Sequence, residues 1–576
     1  MSSAESPQDE RIWLREYPAG VPADIEPQRY ASVKAVIEES CKRYADKPAF
    51  SNMGYELTYR ELDRASAAFG AWLQQGAGLS KGDRVAVMLP NLLQYPVVAY
   101  GILRAGMTVV NVNPMYTPRE LKHQLSDSGA SAIVILKNFA RTLAGVQGDL
   151  PDLKCVVTTE IGDMLPWPRS ALVNAVVRYV KKLIPPVQLA GAVALSSALK
   201  QGASTTLQDV ALTHDDLAFL QYTGGTTGVA KGAMLSHGNM VSNLEQSSAW
   251  LSPLTSDGSD IVITALPLYH IFSLTANCLV FTKIGGKNVL ITDPRDMAGF
   301  IAELRRHRFT AITGVNTLFN GLLHAEGFSS LDFGPLKITL GGGMAVQRAV
   351  AERWAEVTGK PLVEAYGLTE TSPAACINPL TIDAYNGSIG VPISSTRVTV
   401  RDDDGNALPR GDVGEICIGG PQVMRGYWQR AEDTAKVMTD AGDLRTGDMG
   451  YVDERGYVFI TDRKKDMILV SGFNVYPNEI EDVVVRHPAV LEAAAIGVPD
   501  AKSSEAVKLF VVCDEGQQLD KAAVIAHCRE HLTNYKVPRH VEFREDLPKS
   551  NVGKILRRTL RDEELAAKAA PTEQAS

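Results

Sequence analysis

The chain reads as an α/β protein: a large N-terminal domain of parallel-type sheets covered by helices, with a β-rich subdomain, followed by a small α+β C-terminal domain. Three observations predict this. Apolar runs of strand length alternate with helical patterns between Arg84 and Leu136, as in a largely parallel sheet whose crossovers are helices. A length of 576 residues with 45% hydrophobic content supplies several cores of ordinary domain size. From Ser395 the pattern turns to short alternating strands broken by Gly and Asp, and a compact mixed segment follows the charged cluster Asp462-Arg463-Lys464-Lys465-Asp466.

In chain order, Arg84 to Leu89 is an apolar run fit for a buried strand, Leu92 to Ala105 has a helical pattern, and Thr108 to Val112 is again strand-like. Pro118 to Ser128 reads as a helix and Ala132 to Leu136 as a strand. Leu217 to Gln221 forms a short strand whose hairpin return is Ala233 to Leu235. A further α/β segment spans Leu266 to Lys360, with helices around Ala298 to Arg306 and Arg348 to Thr358. The large domain is read as residues 1–462, including the β-rich subdomain at about 395–462, with its turn at Arg401-Asp402-Asp403-Asp404-Gly405-Asn406. The small domain is 463–565, and the Ala-rich polar stretch 566–576 is a tail. Between Leu172 and Ile184, apolar residues recur at helical spacing with Arg178, Lys181 and Lys182 among them. Two readings fit: a helix lying on an anionic membrane surface, or a helix docked on the core with solvated lysines.

Composition narrows the function. A net charge of -8 offers no general attraction to polyanions, which argues against nucleic-acid binding. Seven scattered cysteines without C-x-x-C spacing fit reduced thiols rather than disulfides or zinc. There is no apolar secretory segment and no run of about 20 apolar residues, so the expectation is a cytoplasmic protein, with peripheral membrane contact if the 172–184 helix meets lipid.

The stretch Tyr222-Thr223-Gly224-Gly225-Thr226-Thr227-Gly228-Val229-Ala230-Lys231-Gly232 resists a packing explanation. Small and hydroxylated residues ending in a lysine leave backbone N–H groups free to approach an anion, with hydroxyls and an ammonium as further donors. It fits a nucleotide triphosphate. It is not a Walker A loop: no glycine lies five residues beyond Gly224 or Gly225, and Gly232, not Ser or Thr, follows Lys231. Alone, the same residues also describe a flexible surface turn.

Other stretches share this character: Gly341-Gly342-Gly343, Tyr366-Gly367-Leu368-Thr369-Glu370-Thr371, Thr446-Gly447-Asp448, Asp462-Arg463, and Pro548-Lys549-Ser550-Asn551-Val552-Gly553-Lys554. Together with the loop, and in this order, they resemble the adenylate-forming superfamily that includes acyl-CoA synthetases, luciferase and peptide-synthetase adenylation domains. The likeness runs from about Ala31 to Arg561, and the phrase Asp462 to Glu481 is most similar to bacterial long-chain fatty acyl-CoA synthetases.

The resemblance implies two half-reactions, in which a fatty-acid carboxylate attacks the α-phosphate of ATP and the CoA thiol then displaces AMP. It implies Mg²⁺ on Glu370 and Thr223, and Lys554 as the cation on the α-phosphate and the attacking carboxylate. Asp448 takes the two ribose hydroxyls, Arg463 the ribose or phosphate, and Tyr366 with Gly341 to Gly343 the adenine, beside Gly367 and Thr369. Lys465 corresponds to the hinge about which a mobile small domain rotates, and Gly472 to the wall of the pantetheine channel. His270, in Leu266-Pro267-Leu268-Tyr269-His270-Ile271-Phe272, corresponds to a group gating or positioning the acyl carboxylate, with a buried structural histidine as the alternative. Two positions depart from the family phrase: Asp443 stands where tryptophan is common, and Arg445 where histidine often stands. The expected partners are fatty acid, ATP and CoA, on a monomer or homodimer. Ligases for medium-chain or aryl acids, and a non-catalytic nucleotide- and lipid-binding protein, are the alternatives.

Overall fold

The computed structural model describes residues 11–569 apart from 224–229, 472, 501–502, 515 and 551–552. The alternating segments build a seven-stranded sheet. From one edge its strands are Val193–Ala194, Cys155–Thr159, Ala132–Leu136, Arg84–Met88, Thr108–Asn111, Leu217–Thr223 and Lys231–Ser236. Neighbours are parallel except for the last pair, in which Thr223 stands opposite Lys231. Helices cover both faces, which is why Ala132–Leu136 is buried at every position and reads as an unbroken apolar run. Local chemistry sets the helix bounds. At Pro118–Ser128 the Thr117 hydroxyl accepts from the Glu120 amide, the Glu120 carboxylate accepts from the Thr117 amide, and Gly129 ends the helix at φ 57°.

A nine-stranded sheet carries the second α/β segment, parallel through Val363–Gly367, Ile338–Gly341, Ala311–Gly314, Ile261–Thr264, Lys287–Leu290 and Pro48–Asn52. On one side of it the fully buried Trp354 packs edge-on to Phe319, with ring centroids 4.9 Å apart. The stretch read as β-rich is a four-stranded antiparallel sheet of Arg397–Arg401, Gly414–Gly419, Leu444–Val452 and Val458–Arg463. Its first turn is closed by the Asp402 carboxylate, which accepts from the Asn406 amide at 2.8 Å. The C-terminal segment forms a five-stranded sheet with helices Pro477–Val484, Lys521–His531 and Arg557–Ala569.

The helix read over 172–184 is shorter than its apolar pattern. An α-helix, Arg169–Ala175, runs into a wider turn, Val176–Val180, and the chain breaks at Lys182, whose φ is 53°. Leu183 and Ile184 lie beyond it. Val177 is buried, but Tyr179 and Val180 are 71% and 74% exposed and Leu172 is 65% exposed, so the stripe is not docked as a unit on the core.

Candidate active site

The carboxyl ends of strands from both large sheets, the four-stranded sheet and the C-terminal segment meet around one cavity of about 730 Å³. Ligands of open α/β sheets characteristically bind at such strand ends. Thr223 and Lys231 are cross-strand partners and both line this cavity, so the chain leaves the strand pair and returns to it at one place on the cavity wall. Gly224, Gly225, Thr226, Thr227 and Gly228 of that segment, and Gly472, lie outside the described residues.

Asp448 and Arg463 are likewise cross-strand partners, on Leu444–Val452 and Val458–Arg463. The Arg463 Nε lies 3.3 Å from the Asp448 carboxylate, and the Tyr366 hydroxyl donates to that carboxylate at 2.5 Å. Asp448 is only 4% exposed, and both partners satisfy its carboxylate at the cavity wall. Tyr366 thus contributes a polar tip as well as an aromatic face. Gly367 is dictated by sterics: a Cβ there would sit 1.9 Å from the Pro373 carbonyl oxygen across the adjoining hairpin. Gly342 and Gly343 line the cavity. Gly341 does not; a Cβ there would strike the Val346 side chain at 2.7 Å, so its role is packing behind the wall.

Glu370 lies in the short turn Thr369–Thr371, and Thr369 also faces the cavity. The Glu370 carboxylate accepts the Tyr427 hydroxyl at 2.7 Å, and its backbone carbonyl accepts the Met424 amide at 2.8 Å. Lys231 pairs with Asp433 at 3.0 Å and lies 5.4 Å from the centre of the Tyr427 ring. His270 lines the cavity, and its Nδ1 accepts the Phe272 amide at 3.3 Å. Burial, and then the nearby Lys554, push its pKa down to about 4, so the imidazole is neutral at neutral pH and suited to positioning rather than to cation chemistry.

Lys554 enters from the C-terminal segment on a tight turn, in which its amide donates to the Ser550 hydroxyl and its carbonyl accepts the Ser550 amide at 2.7 Å. From the large-sheet side, the Thr317 hydroxyl donates to the Gly553 carbonyl at 3.1 Å. Desolvation, and then Arg463, push the Lys554 pKa down to about 7, against an upward pull from Asp448. Lys465 is pushed down to about 8 by the same two causes, burial first and Arg463 second. The departures at 443 and 445 have local explanations. Asp443, 2% exposed, takes the Arg397 guanidinium at 2.6 Å, and Arg445 lines the cavity 3.7 Å from Glu415.

Sequence reasoning missed Tyr427, Asp433 and Thr317, whose neighbours in sequence read as an ordinary turn and as solvated helix faces. It also missed the far half of the cavity, where Leu251, Phe281, Ala311, Ile338, Leu340 and Ile377 form an apolar lining.

Residues 37–428 match the family model for AMP-binding enzymes, and residues 479–554 match the AMP-binding enzyme C-terminal domain. The chain belongs to the AMP-binding enzyme family. This AMP-binding enzyme is 58% identical over 553 residues to the long-chain-fatty-acid–CoA ligase of Escherichia coli O6:H1, covering 96% of this chain and 98% of that protein. It is 38% identical over 562 residues to the ligase of the same description from Bacillus subtilis, covering 97% and 99%. Among solved structures, ATP-bound MatB from Rhodopseudomonas palustris is similar with a TM-score of 0.78 at 30% identity, over 92% of this chain and 99% of that one. The anthranilate CoA ligase AuaEII in complex with anthranoyl-AMP is similar with a TM-score of 0.84 at 25% identity, over 94% and 100%.

The pKa of Lys554 is directly testable in the unliganded protein. Competitive labelling with an amine-acylating reagent should show Lys554 reaching half-maximal reactivity near pH 7, well below surface lysines. Asp448→Asn should move that midpoint lower still, because the carboxylate stabilises the ammonium. A midpoint in the ordinary lysine range would contradict the burial argument.

Proposed function

We propose that this AMP-binding enzyme activates long-chain fatty acids with ATP and transfers them to CoA, releasing AMP and pyrophosphate. The observation that carries the proposal is that one cavity is lined both by the hydroxyl, carboxylate and cationic groups at the carboxyl ends of the strands and by side chains that recede along two neighbouring strands, Val315, Thr313 and Ala311 beside Leu340 and Ile338. The apolar half runs beside the strands Ala311–Gly314 and Ile338–Gly341, from Gly342 at the nucleotide end back to Ala311 and Ile338. That depth suits an alkyl chain better than a single aromatic ring.

In the first half-reaction a carboxylate oxygen of the fatty acid attacks the α-phosphorus of ATP, the bond from phosphorus to the bridging oxygen breaks, and pyrophosphate leaves with the electron pair. Two anions must meet, so the cost is electrostatic. Lys554 places its ammonium on the α-phosphate and the carboxylate, Asp448 holds the ribose hydroxyls, Arg463 orients the ribose or phosphate, and the face of Tyr366 with Gly342 and Gly343 takes the adenine. Neutral His270 positions the carboxylate without competing for its charge. Thr223, Lys231 and the loop between them hold the phosphates. The site also suits Mg²⁺: the Glu370 carboxylate and the Thr223 hydroxyl both line the cavity, and Mg²⁺ is typically held by one or two carboxylates plus substrate phosphates. Glu370 and Thr223 would hold it, and when bound it neutralises charge on the phosphate oxygens. In the second half-reaction the CoA thiolate attacks the acyl carbonyl carbon and AMP leaves; the small domain turns about Lys465 to withdraw Lys554 and admit the thiol past Gly472.

AMP release with acetate, octanoate, benzoate, palmitate or oleate, each with and without CoA, tests the proposal. Turnover should be greatest with palmitate or oleate and depend on CoA, and Lys554→Ala should slow the first half-reaction by about 10² to 10³. Ala311→Trp should move the optimum towards octanoate by blocking the apolar half. A best substrate among acetate and benzoate, or indifference to Ala311→Trp, would contradict it.

A specific surface favours peripheral contact with anionic lipid as well. Trp167, Leu172, Tyr179, Val180 and Leu183 are exposed large apolar side chains on the 167–183 stretch, and Arg169, Lys181 and Lys182 stand among them. Among the described residues no helix is long and apolar enough to cross a membrane. The protein should co-sediment with phosphatidylserine-containing vesicles, and substituting both Lys181 and Lys182 by Glu should reduce the bound fraction several-fold; unchanged binding would overturn this reading.

A further inference from the structure

Tyr427 stands between two groups of opposite charge that both serve the phosphate end of the cavity. Its hydroxyl donates to Glu370 Oε1 at 2.7 Å, while its ring faces the Lys231 ammonium at 5.4 Å. The backbone explains the placement. Residues 424–428 lie against Lys231–Ser236 through an isolated antiparallel bridge between Tyr427 and Ala233, with the Met234 amide donating to the Gly426 carbonyl at 2.9 Å and the Trp428 amide to the Gly232 carbonyl at 2.8 Å. The Met424 amide donates to the Glu370 carbonyl, and the Tyr427 amide to the Thr434 hydroxyl at 2.9 Å. The ring therefore hangs from a segment stitched both to the strand that carries Lys231 and to the turn that carries Glu370, and it is 9% exposed.

We propose that Tyr427 is a positioning residue for the divalent cation: its hydroxyl fixes the rotamer of the Glu370 carboxylate, and its ring keeps the Lys231 ammonium from pairing with that carboxylate. The two groups would otherwise neutralise each other. A carboxylate that gives one oxygen to a phenol keeps the other for a metal, whereas one bridged to an ammonium loses both charge and geometry. Asp433 completes the arrangement by giving Lys231 a carboxylate partner of its own at 3.0 Å. Hydrogen bonds that orient metal-binding carboxylates commonly affect metal affinity by about 10- to 100-fold.

This inference rests on the nucleotide and Mg²⁺ reading of the site, and the experiment separates the two. Calorimetric binding of a non-hydrolysable ATP analogue is measured on the full chain over a Mg²⁺ series and in EDTA, without fatty acid. Wild type should bind more tightly as Mg²⁺ rises. Tyr427→Phe keeps the ring and should raise the Mg²⁺ concentration for half-maximal enhancement about tenfold, with metal-free affinity within about twofold of wild type. In a Glu370→Gln background the same substitution should have no further effect on the Mg²⁺ series. A Tyr427→Phe series that superimposes on wild type, an equal loss of affinity in EDTA, or a full effect in the Glu370→Gln background would each overturn the inference while leaving the site reading intact. A wild-type series flat in Mg²⁺ would overturn both.

Discussion

Arg557 is where the C-terminal segment is tied to the four-stranded sheet that contributes Asp448 and Arg463 to the cavity wall. Its guanidinium reaches Glu481 at 2.7 Å, Asp462 at 3.3 Å and Asp466 at 3.4 Å, and also donates to Asn478. Asp462, fully buried, lies on Val458–Arg463 of the four-stranded sheet, while Glu481 and Asn478 lie on Pro477–Val484 of the C-terminal segment. Burial opposes the Arg557 charge, but Glu481, Asp462 and Asp466 outweigh it. The same burial pushes Asp462 up to about 6 even against Arg557. Removing the shared cation would strand buried carboxylates, a change that typically costs about 3–5 kcal/mol. Arg557 is three residues beyond Lys554, so the hub fixes the base of the turn that delivers the ammonium, and Thr317 holds that turn from the other side.

What the hub delivers is an electrostatic strain that substrate relieves. Arg463, Lys465 and Lys554 converge on the cavity around Asp448, and burial together with Arg463 depresses both lysines towards neutrality. A triphosphate entering such a site would raise both pKa values and complete the charge that the unliganded cavity lacks. The partners of Asp448, Glu370 and Lys231 are arranged so that none of these three groups pairs with another: Arg463 and Tyr366 take Asp448, Tyr427 takes Glu370, and Asp433 takes Lys231.

Much of this was legible in the sequence because it is local. Glycine- and hydroxyl-rich phrases mark places where backbone approaches a ligand, and the strands and helices around Arg84 to Leu136 announce themselves by period. Asp448 and Arg463 were each visible in a phrase; their pairing follows from strand register, which a single chain does not print. The groups that were missed are joined across long separations. Asp127, for example, accepts the Tyr222 hydroxyl at 2.7 Å and, from 303 residues away in sequence, the Arg430 guanidinium at 2.7 Å, joining both to the end of the strand Leu217–Thr223. The apolar half of the cavity escaped for another reason: Leu251, Phe281 and Ile338 look like any core residues until the sheets arrange them around a void. The 172–184 stripe shows the converse, since a helical period persists in the sequence past Lys182, where the backbone turns left-handed.

In the proposed reaction one cavity holds the nucleotide and the acyl chain end to end, with Lys554 at their junction. The most direct test of this arrangement is a crystal structure of the protein bound to a non-hydrolysable palmitoyl-adenylate analogue. The ribose hydroxyls should lie on Asp448 and the phosphate-mimicking group beside Lys554, with the alkyl chain running past Ala311 and Ile338 towards Phe281. An alkyl chain that leaves the cavity at the protein surface, or a linking group remote from Lys554, would contradict it.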